Sequence, residues 1–417
     1  MSCLSDAIDL ISPLLNNHHK QVTYISYKIA EALSFSGDKL ADLVTAALLH
    51  DAGALNFSER IELLNFEENN PYRHAIGGYV LLEDFEVFKK AGEFIKHHHL
   101  PWRNGAGRAC QGDLVHLESH ILHLADRIAV SINKNAEVLN QVGDITRNIK
   151  IQANSKFHPH LVEVFRALSE REAFWLDLVS PAIGERLKTA WKGFDKYLKL
   201  EEVLEVTNVF ARIIDFRSRF TSVHSSGVAA VARAIASKMN CSKEDCIKIT
   251  IAGNLHDLGK LALPNEILEK PGRLTREEYN IMKTHTYHSY HILKEIQGLE
   301  DINEYASFHH ERLDGSGYPF RIQGGDLREG SRIIAIADVL TAIIEDRPYR
   351  EGMKHTEAMQ IIETMGQRTK LDAEIVSLVK ENLDEINAAR QKAQQQAASE
   401  YKVFERTIHS IEKCYCQ

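Results

Sequence analysis

The sequence predicts an all-α protein built from two tandem helical bundle domains. Three observations lead there. Apolar residues recur at three- and four-residue steps, with few alternating runs. The pattern of the first half returns in the second at a nearly constant offset. Ten of the 21 histidines of the 417-residue chain pair up in that repeat.

The second half shows the elements most clearly. A helix is expected from about Leu200 to Asp215. After His224, the residues Val228, Val231, Ala232, Ile235 and Met239 form one stripe of an amphipathic helix. Another helix begins near Ser242, with Asp245 placed as a capping-box partner, and turns Ile247, Ile251 and Leu255 inward. It is expected to end at His256-Asp257-Leu258-Gly259, with Gly259 as a C-cap. Pro264 and Pro271-Gly272 mark a loop. Thr275 and Glu278 form a capping box that opens a helix running to His285. The stretch Asn387 to Gln417 reads as a helical tail, either exposed or a homodimer contact.

The first half repeats this plan. Val22, Ile25, Ile29 and Leu33 match Val228, Val231, Ile235 and Met239 at an offset of 206, which His18–His224, His50–His256 and Asp51–Asp257 share. His74 pairs with His285 at 211; His97-His98 pair with His309-His310, and Asp126 with Asp338, at 212. Phe157-His-Pro-His-Leu161 resembles Leu371-Asp-Ala-Glu-Ile375. The unit of repetition, about 200 residues, is the size of a domain. The boundary falls near Lys196 to Glu202, giving domains at 1–197 and 198–417.

Composition narrows the function. The chain is 44% hydrophobic and 26% charged, ordinary for a globular protein. A net charge of -8 without a basic run argues against binding a nucleic-acid polymer. Six scattered cysteines in no CxxC pattern suit a reducing compartment. Asp6 and Asp9 stand where a signal peptide would be basic, and no apolar run is long enough for a membrane span. A cytoplasmic location is expected.

The second half then offers His224, His256, Asp257, His285, His309, His310 and Asp338. Five imidazoles and two carboxylates suit two first-row divalent metals. Asp257 has two oxygens and can bridge both. Two such cations about 3.5–4 Å apart can clamp an in-line displacement at phosphorus. Lys260, three residues past that carboxylate, is placed to stabilise charge on the reacting phosphate.

His224, then His256-Asp257, then Asp338 resembles the HD superfamily. His256-Asp-Leu-Gly-Lys260, Lys270-Pro-Gly272 and His309-His-Glu-Arg-Leu-Asp-Gly-Ser-Gly-Tyr-Pro319 resemble its HD-GYP subfamily over roughly Leu200 to Ile386. The resemblance implies a phosphodiesterase that opens cyclic di-GMP or cyclic GMP-AMP, with iron or manganese as its two divalent ions. It assigns His224, His256, Asp257 and Asp338 to one metal, and Asp257, His285, His309 and His310 to the other. It places Lys260 near the scissile phosphate, and Gly315, Gly317, Tyr318 and Pro319 in a tight loop beside the metals. Arg312, Asp314 and Arg347 are candidates for the loop or the second phosphate. Two positions depart from the family pattern: Thr341 three residues after Asp338, and Ser218-Arg-Phe-Thr221 before His224. Neither removes a ligand.

The first half keeps every ligand type in His18, His50, Asp51, His74, His97, His98 and Asp126, a second candidate metal site. His19 and His99 create alternative registers. Ala54 stands where the lysine would be, and no GYP sequence follows His97-His-His99. This half resembles an HD domain of the wider phosphohydrolase kind, with a catalytic, regulatory or structural role open. Two rival readings remain: a receptor that senses the dinucleotide and signals through the first half, and a phosphohydrolase acting on a mononucleotide or guanosine tetraphosphate.

Overall fold

A computed structural model describes residues 5, 17–55, 72–191, 198–217, 223–270, 272–346 and 351–415. Arg347, Pro271 and the segment Ser218 to Thr221 lie outside the described residues. The chain forms two compact units, Met1–Tyr197 with Phe404–Gln417, and Leu198–Val403. The boundary expected from the sequence puts the whole tail with the second half. The end of the last helix, Leu383–Tyr415, instead groups with the first unit, where Phe404 and Ile408 are buried.

Both units are helical. The hairpin Ala109–Cys110 with Asp113–Leu114 is the one sheet among the described residues. The duplication holds helix by helix. His18–Ala32 and His224–Lys238 each have 15 residues. Gly37–Leu49 and Lys243–Leu255 each have 13, and Tyr72–Leu82 and Thr284–Lys294 each have 11. Lys89–Lys96 matches Glu300–Ser307 at 8. Leu117–Val130 corresponds to Glu329–Ile344. Further on, His158 and Asp372 are equivalent N-caps, accepting from the backbone N–H of His160 and of Glu374 and Ile375.

The cores follow from the apolar stripes. Val22, Ile25 and Ile29 are fully buried in the first unit, as are Val228, Val231 and Ile235 in the second. Each such side chain contributes about 1.5–3 kcal/mol. His18–Ala32 packs on Leu117–Val130 and Gly37–Leu49; His224–Lys238 packs on Lys243–Leu255 and Glu329–Ile344. The candidate ligands therefore sit on or at the ends of central helices.

Two local expectations need correction. The helix opened by the Thr275–Glu278 capping box stops at Met282, and His285 lies at the start of the next helix, Thr284–Lys294. Gly259 is not a C-cap: the helix ends at Leu255, and Gly259 lies in the 3-10 turn Leu258–Ala262. A Cβ on Gly259 would lie 1.9 Å from the His285 carbonyl oxygen. Its counterpart Gly53 would place one 2.1 Å from the His74 oxygen. Glycine is needed in both units because the turn after His-Asp touches the helix that brings the next histidine.

Candidate functional site

In the second unit the candidate ligands converge on Asp257. Its Oδ2 lies 3.3 Å from His256 Nε2 and 3.9 Å from His224 Nε2, and its Oδ1 lies 3.6 Å from His285 Nε2. Asp338 Oδ1 is 3.3 Å from His224 Nε2 and 4.0 Å from His256 Nε2, while its Oδ2 faces His310 Nδ1 at 3.8 Å. The rings of His285 and His309 meet at 3.4 Å between Nε2 atoms. Two donor sets emerge, His224–His256–Asp338 and His285–His309–His310, with Asp257 presenting one oxygen to each.

Backbone carbonyls decide the tautomers. His256 Nδ1 donates to Gly253, His285 Nδ1 to Met282 and His309 Nδ1 to Ala306, at 2.6–2.7 Å. A carbonyl only accepts, so each Nδ1 carries the proton and each Nε2 presents a lone pair. His256 Nε2 is buried without a hydrogen-bond partner. That donor arrangement fits a divalent cation. Burial holds His285 down to about 4 and His310 to about 3, against the pull of Asp257 and Asp338, so both are neutral at pH 7, as a metal-ligating imidazole must be. Burial opposes charge on Asp257, but His256, Lys260 and His285 outweigh it and keep the carboxylate ionised.

Lys260 Nζ lies 2.5 Å from Asp257 Oδ2 with part of its side chain open to solvent. Arg217 holds its turn, donating to the carbonyls of Lys260, Leu261 and Leu263 at 2.7–2.9 Å. The GYP loop is pinned by Glu311, whose buried carboxylate accepts from the backbone N–H of Phe320, Arg321 and Ile322. A Cβ on Gly317 would sit 2.4 Å from Glu311 Cα, so only glycine fits. Tyr318, followed by a cis peptide to Pro319, places its ring 4.9 Å from that of His310. Arg312 donates weakly to the carbonyls of His309 and Glu311, and Asp314 accepts from Ser316 N and Oγ within the loop.

Sequence reasoning missed a supporting chain. His224 Nδ1 donates to Glu345, and Glu345 accepts from Gln394 of the terminal helix. The tail, expected to be an exposed helix or a dimer contact, thus supplies a side chain two contacts from a candidate ligand. Asp215, which accepts from Ser225 N and Oγ, was also missed. No spacing rule links these positions.

The first unit reproduces the geometry. His18 Nε2 lies 3.6 Å from Asp51 and 3.3 Å from Asp126; His50 Nε2 lies 3.3 Å from Asp51 and 3.9 Å from Asp126; His74 Nε2 lies 3.6 Å from Asp51 Oδ1. Each separation is within 0.3 Å of its counterpart above. His50 and His98 donate through Nδ1 to Ala47 and Ile95, and their Nε2 atoms are buried without hydrogen-bond partners. These donors also fit a cation.

One predicted ligand is displaced. His98 repeats the i−3 carbonyl bond of His309, and His99 meets His74 at 2.8 Å. The register is therefore 211, as for His74, and His98-His99 stand where His309-His310 do. His97 is left outside both donor groups, and burial, then the Lys96 charge, lowers it to about 4. Ala54 is buried in the place of Lys260. The segment after His99 is tied elsewhere: Trp102, Arg103 and Asn104 donate from their backbones to Lys156, Ser155 and Asn154. Trp102 is buried against His158, with Arg108 over its ring.

A buried cluster of imidazoles and carboxylates on five helices, found twice, defines the HD class of metal-dependent phosphohydrolase folds. HD-domain family models match residues 208–375 and 16–131. The 3'3'-cGAMP-specific phosphodiesterase 1 of Vibrio cholerae serotype O1 is 31% identical over 392 residues, covering 91% of this chain and 90% of that one. A cyclic di-GMP phosphodiesterase of Thermotoga maritima is 35% identical over 211 residues, 48% of this chain and 56% of that one. A crystal structure of a cyclic GMP-AMP specific phosphodiesterase from V. cholerae shares the fold with a TM-score of 0.63 at 24% identity, covering 92% of this chain and 96% of that chain. The chain belongs to the HD-GYP family of cyclic dinucleotide phosphodiesterases. Among the described residues no helix is long and apolar enough to cross a membrane.

Proposed function

We propose that the second unit cleaves a 3′–5′ phosphodiester of a cyclic dinucleotide, leaving a linear dinucleotide with a 5′-phosphate. The observation that carries this is Asp257, buried between two donor sets and presenting a different oxygen to each. Two divalent ions, iron or manganese, would be held by His224, His256, Asp257 and Asp338 on one side and by Asp257, His285, His309 and His310 on the other. When bound, such ions supply Lewis acidity and activate water. The protein's part is positioning and charge. The i−3 carbonyls lock the imidazoles, Lys260 stabilises negative charge on the phosphate oxygens, and the Gly317-Tyr318-Pro319 loop walls the site beside His310. Arg312 and Asp314 serve the loop, and Arg347 is assigned to the second phosphate.

Among cyclic dinucleotides, 3'3'-cGAMP is the preferred substrate in this reading. Its support is the relative specific for that molecule, which matches nearly the whole length of both chains. Cyclic di-GMP is the second reading, because relatives that act on it match the second half. The test is incubation of iron- or manganese-loaded protein with each cyclic dinucleotide, followed by chromatography. Faster conversion of 3'3'-cGAMP to a linear product is expected; if neither ring opens, the reading fails.

The first unit takes a smaller phosphate ester, the 5′-phosphate of that linear product. Its cluster geometry supports a metal site, and the loss of the lysine and the GYP loop removes the features tied to the cyclic substrate. The two units would then act in sequence.

A further inference from the structure

The seven-residue helix Arg276–Met282 buries none of its own side chains. A helix that short has little stability by itself, and polar ties hold this one. Thr275 and Glu278 exchange the two bonds of a capping box at its start. Lys270 donates to both oxygens of Glu278, at 2.7 and 2.5 Å. At its end the Met282 carbonyl accepts from His285 Nδ1 at 2.7 Å, which ties the helix to the second cluster. The helix is thus fixed at the rim of the site without contributing to the core.

Tyr279 stands on this helix with 46% of its surface open to solvent. Its ring meets that of Tyr318 edge-on at 6.4 Å, and Tyr318 lies 4.9 Å from the ring of His310. The aromatics nearby pack on one another: Tyr290 stacks on Phe308, and Phe320 closes against both. Tyr279 keeps an open ring. Lys283 Nζ lies 5.4 Å over that ring and has no carboxylate partner among the described residues. A lone exposed tyrosine is ordinary. An open ring and an unpaired cation together, one ring beyond the wall of a phosphate site, suit a ligand that is both aromatic and anionic. Every base has a π-face, so such a ring can stack one without reading its edges. A phosphate held at the cluster carries its ribose and base outward, toward the rim where Tyr279 stands. At the offset of 211 that pairs His74 with His285, Glu68 falls at the register of Tyr279, so the half without the GYP sequence lacks this aromatic as well.

We propose that Tyr279 is the stacking platform for one nucleobase of the cyclic dinucleotide. This rests on the reading of the second unit as a cyclic dinucleotide phosphodiesterase. The test uses the manganese-loaded full chain with Tyr279→Ala, Tyr279→Leu and Tyr279→Phe, measuring metal content and the kinetics of 3'3'-cGAMP cleavage. In Tyr279→Ala, KM should rise about tenfold, with kcat within about threefold of wild type and metal content unchanged. Tyr279→Leu restores bulk without a π-face and should be as impaired; Tyr279→Phe should recover the wild-type KM. Binding is read separately on zinc-loaded protein, free of paramagnetic quenching, with a cyclic dinucleotide carrying 2-aminopurine, whose fluorescence falls on stacking. Wild type and Tyr279→Phe should quench it, and Tyr279→Ala should not. Unchanged KM and quenching in Tyr279→Ala overturn the inference, as does full recovery by Tyr279→Leu. Loss of metal in Tyr279→Ala also overturns it, because the residue would then act through Met282 and His285. Quenching that depends on Tyr279 in a protein that opens no ring overturns the phosphodiesterase reading and leaves the stacking role standing. Ring opening that ignores Tyr279 overturns the stacking role alone.

Discussion

His224 Nδ1 donates to Glu345 Oε2 across 2.8 Å, joining a candidate ligand on one helix to a carboxylate 121 residues away. That bond sets the tautomer and aims Nε2 at Asp338. Glu345→Ala should lower metal affinity of the second unit by about 10- to 100-fold, the usual cost of losing a supporting hydrogen bond to a ligand. Glu345→Gln keeps an acceptor and should recover most of it. Competition with a metal-binding dye measures both; equal affinity in Glu345→Ala and wild type would sink the claim.

Asp257→Asn should abolish cyclic dinucleotide hydrolysis and reduce bound metal, because an amide neither bridges two cations well nor balances their charge. Metal analysis alongside a turnover assay checks this. Near-normal turnover would remove Asp257 from the centre of the site.

Lys260→Ala should leave metal content unchanged but slow turnover about a hundredfold, comparable to losing one charge-stabilising donor. Arg217→Met should give a milder form of the same defect, because it frees the carbonyls that hold the Lys260 turn. Rates equal to wild type in Lys260→Ala would show that the lysine plays no part in the reaction.

His50→Ala with Asp51→Ala in the full chain should spare cleavage of the cyclic substrate and stop release of inorganic phosphate from the linear product. A phosphate assay on purified linear dinucleotide separates the steps. If wild-type protein releases no phosphate from it, the phosphatase reading of the first unit is wrong.

His120 gives a pH prediction clear of the ligands. Burial lowers it to about 4, partly offset by its bond to the Gly107 carbonyl. The unfolded chain takes up a proton near the ordinary imidazole value of about 6.5, before the native one does. Stability is therefore complete above about pH 6.5 and falls as pH drops toward about 4, by at most about 1.4 kcal/mol per pH unit from this residue. Urea denaturation at pH 7 and pH 5 should show a smaller acid loss in His120→Gln than in wild type. An equal loss in both would mean that His120 stays paired or charged in the folded state.

The sequence by itself determined the helical class, the duplication and the ligand types. Those signals are local: the three-to-four-residue period is set by helix geometry, and the His-Asp pairs and the His309–Pro319 loop are contiguous in the chain. The tertiary structure decided the rest. Successive residues on a helix end point about 100° apart, so which two of His97, His98 and His99 join His74 depends on how the helix Lys89–Lys96 is docked, and packing chose His98 and His99. Glu345 and Gln394 meet His224, and Arg217 meets the Lys260 turn, only because helices remote in sequence cross there. Arg127 looks in the sequence like any charged residue on a helix. Burial against Asp126, which only the packed bundle imposes, makes it an ion-pair partner of a candidate ligand.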